Sequence, residues 1–114
     1  MDREEFKRKM NGNANIISKE GYKTAITQSV EDESHTINCV ICMEEFAELQ
    51  QEISKQLRNK GDISGLLEEM ADAYICLDLL RQMFEITDGE IHKAVSIKID
   101  RHKRKRNAYY SKRL

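Results

Sequence analysis

Two acidic phrases hold the residues best suited to chemistry in this chain. "MEEFAEL", Met43 to Leu49, is echoed by "LEEMADA", Leu67 to Ala73, and each sets carboxylates three and four residues apart. On a helix, Glu45, Glu48 and Glu52 fall along one flank, and Glu69 and Asp72 fall along one flank of a second helix. No Lys or Arg stands at i±3 or i±4 from Glu45, Glu48, Glu69 or Asp72. The like pairs are Glu44–Glu48, Glu48–Glu52 and Glu68–Asp72 at i+4, with Glu45–Glu48 and Glu69–Asp72 at i+3. Each costs about 0.2–0.5 kcal/mol, where an ion pair would have stabilised by as much. A cation from outside the sequence is the expected remedy. Oxygen-only donors suit Mg²⁺ or Mn²⁺, hard ions that keep waters and bridge to substrate phosphates. A lone EExxE is most often a solvated helix face. A second acid pair beside its own apolar stripe makes the metal reading the stronger one.

Elements that could position these acids follow from periodicity. From His35, apolar residues recur at three- and four-residue intervals (Cys39, Met43, Phe46, Ile53, Leu57), which predicts a helix with that stripe inward. "NKGD" interrupts it, with Gly61 suited to a helix C-terminus and Asp62 to the next N-cap. The second helix is expected to reach about Phe84, with Leu66, Met70, Ala73, Leu77 and Phe84 inward. "TDGE" ends it, and a third starts near Asp88 with Ile91, Val95 and Ile99 inward. With residue 60 as the middle of the hairpin, Glu48 and Asp72 share a level. Glu45 and Glu69 are then displaced from it by about 4.5 Å, and four carboxylates converge.

The remaining chain is less patterned. Residues 1–14 are charged and end in the turn-rich "NGNAN"; a short helix around Ile16 and Ile17, a break at "EGYK" and a polar stretch follow. The expected organisation is an N-terminal segment over 1–34, partly helical or loop, a helical core over 35–104 and a basic tail over 105–114. No proline, five glycines, 6% aromatics and 34% charged residues agree with an all-α bundle. At 114 residues its core is thin, and oligomerisation would ease the shortage.

Several functional classes are disfavoured. No apolar run approaches the roughly 18 residues of a membrane span, and "MDREEFKRKM" lacks a signal-peptide core, so a cytoplasmic location is the default expectation. Cys39, Cys42 and Cys76 are an odd set without a second CxxC, which favours reduced thiols on helix faces over a zinc or redox site. His35, His92 and His102 have no shared ligand spacing, and no phosphate-binding G-x-x-x-x-G-K-[ST] loop is present. Charge is uneven: residues 91–114 carry nine Lys or Arg against one acid, and the first 90 carry ten against nineteen. "HKRKR", His102 to Arg106, with the two tyrosines of "NAYYSKRL", leaves open an alternative function, a non-enzymatic helical dimer that binds nucleic acid or a protein partner. A solvated terminus, or pairing with a neighbouring subunit's acidic body, accounts for the same residues.

"EEFAE", twenty intervening residues and "EMAD" resemble the EExxE…ExxD pattern of the MazG-like all-α nucleoside triphosphate pyrophosphohydrolases. "KIDR", Lys98 to Arg101, is similar to the Lys-containing segment of that family's last core helix, and the resemblance covers about residues 35–104. It implies a helical core completed by dimerisation, sometimes as a tetramer, and Mg²⁺-dependent cleavage of a nucleoside triphosphate to the monophosphate and pyrophosphate. By motif position it makes Glu45, Glu48, Glu69 and Asp72 the metal ligands and Glu44 a water-orienting acid. Glu44, Glu45 and Glu48 are then the catalytic acids. Lys98 and Arg101 hold phosphate oxygens, and Asn38 touches base or sugar. The N-terminal part matches the family only vaguely, so it does not identify the base.

Overall fold

The computed structural model describes residues 2–113, with the side chains of residues 2–108. The tail side chains of Tyr109, Tyr110, Lys112 and Arg113 lie outside that set. The chain is all-α: α1 Arg3–Asn11, α2 Lys19–Asp32, α3 His35–Leu57, α4 Ile63–Met83 and α5 Asp88–Arg113. No described helix is long and apolar enough to cross a membrane. The helices fall into two compact units, Met1–Phe84 with α1 to α4 and Glu85–Leu114 with α5.

Side-chain caps set most helix starts. Asp2 accepts from Glu5 N at 2.8 Å, Ser18 from Gly21 N at 3.0 Å, Ser34 from Ile37 N at 3.1 Å and Asp62 from Gly65 N at 2.9 Å. Each such cap contributes about 1 kcal/mol. At the start of α5 the bonds are reciprocal: Glu90 N donates to Thr87 Oγ1 at 3.1 Å and Thr87 N to Glu90 Oε1 at 3.0 Å. The Ser18 cap corrects the expectation for residues 15–34. Ile16 and Ile17 precede the helix, and "EGYK" lies inside the first turns of α2. Gly21 sits where a first-turn N–H needs the cap more than the backbone needs a side chain.

α3 and α4 form an antiparallel hairpin whose turn is asymmetric. The left-handed residue after α3 is Asn59, φ 54°, in place of the expected Gly61. Asn tolerates that region because its short polar side chain bonds locally. Lys60 N then donates to Lys55 O at 2.9 Å, and the chain runs back along the last turn of α3, where Gln56 Nε2 donates to Asp62 O at 2.8 Å. A Cβ on Gly61 would meet Gln56 and Lys55 at 3.0 Å, so the glycine permits this close return. By the start of α4 the chain has already descended, which moves the register by three residues from the symmetric expectation. Glu45 faces Asp72, Glu48 faces Glu69, and Glu52 faces Gly65.

Small side chains bring the two helices together. Cys42 Sγ lies 3.7 Å from the carbonyl oxygen of Cys76, and both cysteines join Ile26 and Leu79 in the core, with Tyr22, Val30, Phe46 and Leu80 packed around them. Burial pushes the Cys42 thiol up and Cys76 to about 12, so both remain protonated apolar fillers at neutral pH. α2 is tied to α4 by Tyr22 OH donating to Asp78 Oδ2 at 2.5 Å and Thr27 Oγ1 donating to Gln82 Oε1 at 3.1 Å.

This close contact keeps part of the expected inward stripes, with Ala73 buried and Phe46 packed against the core, and displaces the rest. Met43 is 69% exposed and Leu57 82%, and Ile53, Met70, Leu77 and Phe84 are exposed as well. The contact line runs one position around the wheel, through Asn38, Cys42 and Glu52 on α3 and Gly65, Glu69, Ala73, Cys76, Leu79 and Met83 on α4. Polar and small residues take most of the seam, joined by Leu79 and Met83, while Met43, Leu57 and Leu77 stay uncovered. On α5, Ile91, Val95 and Ile99, expected inward, are exposed too.

Candidate metal centre

The three-residue register shift assembles the acids more tightly than the symmetric hairpin would. One carboxylate oxygen from each of Glu45, Glu48 and Glu69 lies within 4.8 Å of the others. Asp72 stands beside Glu45 as a fourth carboxylate next to this trio. Glu69 is only 8% exposed, and its Oε2, like Glu45 Oε2, is buried without a hydrogen-bond partner. A buried polar atom of this kind costs about 1–3 kcal/mol, more when charged, unless something satisfies it. A cluster of anions with orphaned oxygens aimed together is therefore built for a cation or for protons.

Protons come first when no metal is bound. Burial raises the Glu45 carboxyl to about 7; the hydrogen bond with Asp72 and the charges of Asp72, Glu48 and Glu69 push the same way. Glu69 is raised as well, by burial and then by Glu48, Asp72 and Glu68, against the lowering effect of Arg3. A carboxyl that titrates near 7 when folded and at 4.5 otherwise takes up a proton on folding between those values, so stability falls as pH rises through that window. Metal-free protein is thus expected to melt at a lower temperature at pH 8 than at pH 5.5. Glu45→Gln flattens that difference in a thermal melt, and a melting temperature that rises with pH would contradict the assignment.

The cation that sequence spacing could not supply comes from α1. The Arg3 guanidinium bonds Glu68 through Nε, lies 3.3 Å from Glu69 Oε1 through Nη2 and 3.6 Å from Glu52 Oε1 through Nη1. Glu52, 5% exposed, also receives Lys55 Nζ at 3.2 Å. Gly65 provides the floor: a Cβ there would collide with Arg3 Nη1 and fall 2.8 Å from Glu52 Oε2. Arg3 lies 65 residues before Glu68 in sequence, and Glu52 is nearly as remote, so no helical spacing could reveal it. Glycine in the first turn of a helix, facing a buried acid, was the available signal.

The other expected site residues are placed as follows. Glu44 is exposed on α3 and outside the trio. Asn38 is 3% exposed and donates Nδ2 to Ser29 O at 3.2 Å, which commits its amide to holding α2 against α3. Lys98 and Arg101 belong to the second unit, where they share a shallow hollow of 160 Å³ on α5 with His102 and Lys105. No family model, no curated protein and no solved structure matches this chain.

Proposed function

We propose that the acidic cluster binds a divalent cation, Mg²⁺ or Mn²⁺, and that the protein hydrolyses a nucleoside triphosphate to its monophosphate and pyrophosphate, in the manner of the MazG-like enzymes whose doubled motif it resembles. The observation that carries this reading is the convergence of Glu45, Glu48 and Glu69 within 4.8 Å, with orphaned buried oxygens on two of them. An all-oxygen, all-carboxylate donor set fits a hard cation. Glu45, Glu48, Glu69 and Asp72 would hold the ion, which would supply charge neutralisation for the triphosphate and acidify a bound water. Glu44, exposed one residue before the trio, is available to orient that water. Lys98 and Arg101 would hold phosphate oxygens, a role for which their shared face on α5 is suited.

Exposed aliphatic side chains on two helices, Met43 and Leu57 on α3 and Ile63 and Leu77 on α4, support the further proposal of a homodimer or homotetramer. The test is pyrophosphate release from a panel of ribo- and deoxyribonucleoside triphosphates. Release of pyrophosphate from at least one of them with Mg²⁺, and none with chelator, is expected; no release from any member would sink the reading. A second reading rests on α5, where Lys98, Arg101, His102 and Lys105 line one hollow. A nucleic-acid binder of that kind loses affinity steeply between low and moderate salt and is indifferent to Glu48→Gln.

A further inference from the structure

The attachment of α1 differs in kind from that of α2. α1 buries no residue completely, and its charged anchors are Arg3 in the slot formed by Glu52, Glu68 and Glu69, and Lys7 on Asp62 at 2.8 Å. The slot is shaped for a guanidinium, since the missing side chain of Gly65 leaves the space that Arg3 Nη1 fills. One of its walls is also a member of the carboxylate trio. Glu69 gives Oε1 to Arg3, while its Oε2 is buried and unpartnered.

We propose that Arg3 is an internal competitor of the divalent cation, so that α1 is a latch held by Arg3 on Glu69 and Glu68 and released when the cation takes Glu69. The inference rests on the cation reading of the trio. A monovalent guanidinium and a divalent ion both lower the energy of the same crowded carboxylates, and the fixed positive charge of Arg3 opposes a second cation a few ångströms away. A latch made of ion pairs, with no side chain fully buried under it and Phe6 only partly so, is also the kind of contact that a competing cation can displace. Cation binding would then be reported at the N-terminus as loosening of α1, and any partner or process that removes residues 1–11 would raise cation affinity.

The test titrates Mg²⁺ alone, by calorimetry, into wild-type protein, Arg3→Gln and Gly65→Ala, and follows hydrogen exchange of α1 amides with and without Mg²⁺. Gly65→Ala presses on the guanidinium and on the Glu52 carboxylate that helps hold it, and leaves every carboxylate of the trio in place. Both variants are expected to bind Mg²⁺ about tenfold more tightly than wild type, and Mg²⁺ is expected to speed exchange in α1 of the wild type. Equal or weaker binding by both variants, with α1 exchange unchanged by Mg²⁺, would overturn the latch while leaving the cation site standing. Binding by the variants alone would support the latch in its strongest form. Failure of all three proteins to bind Mg²⁺ would overturn the cation site and the latch together.

Discussion

Glu48→Gln is expected to melt at the wild-type temperature or slightly above it, and to release pyrophosphate at least about a hundredfold more slowly. Stability and activity part company here because the same charge serves one and opposes the other. Glu48 is exposed, faces Glu69 across the hairpin and has Glu44, Glu45 and Glu52 at helical spacing. Gln keeps the shape and removes a repulsion of about 0.2–0.5 kcal/mol per neighbour. Loss of even an outer-shell carboxylate costs about 10–100-fold in metal affinity or activity, and a direct ligand costs more. Thermal melts and pyrophosphate release on the same preparation check both halves. A variant that unfolds would show Glu48 to be structural, and one that keeps full activity would remove it from the site.

Leu79→Ala is expected to cost about 2–5 kcal/mol. Leu79 is 6% exposed and belongs to a core cluster that contains, among the described residues, three other buried side chains, Ile26, Cys42 and Cys76. Against the roughly 5–15 kcal/mol that holds a domain folded, that loss is a large share. Urea denaturation should show a midpoint lowered by about 1–2 M. Leu57→Ala, which changes a more apolar-looking position on the predicted stripe, should shift monomer stability by no more than about 0.5 kcal/mol because that side chain stands in solvent. Equal costs at the two positions would contradict the seam described for α3 and α4.

That pair of leucines shows where sequence reading succeeds and where it stops. Helix limits were legible at the interruptions, with Asp62 at the start of α4 and "TDGE" before α5, but not at Ser18, whose cap starts α2 inside a stretch without clear periodicity. Convergence of the two acidic phrases was legible because both sit on helices joined by a short turn. Which residues lie level was not, since it depends on Asn59 entering the left-handed region and on Gly61 letting the chain double back against Lys55. Nor was the inward face. Periodicity assigns the core to the largest apolar residues, but Cys42, Gly65, Ala73 and Cys76 allow the helices to approach so closely that Glu52 and Glu69 are drawn inside. Arg3 follows from the tertiary packing of α1, which no local spacing encodes. The apparent absence of a base near the acids was therefore correct for each helix and incomplete for the fold.

The central claim is that Glu45, Glu48 and Glu69 form one cation site. It is tested most directly by calorimetric titration of Mg²⁺, with Mn²⁺ as a paramagnetic check, into wild-type protein and a Glu45→Gln/Glu69→Gln double variant at pH 8. Saturable binding to the wild type that disappears in the folded double variant is the predicted result. No binding to the wild type, or undiminished binding to the double variant, would contradict the account.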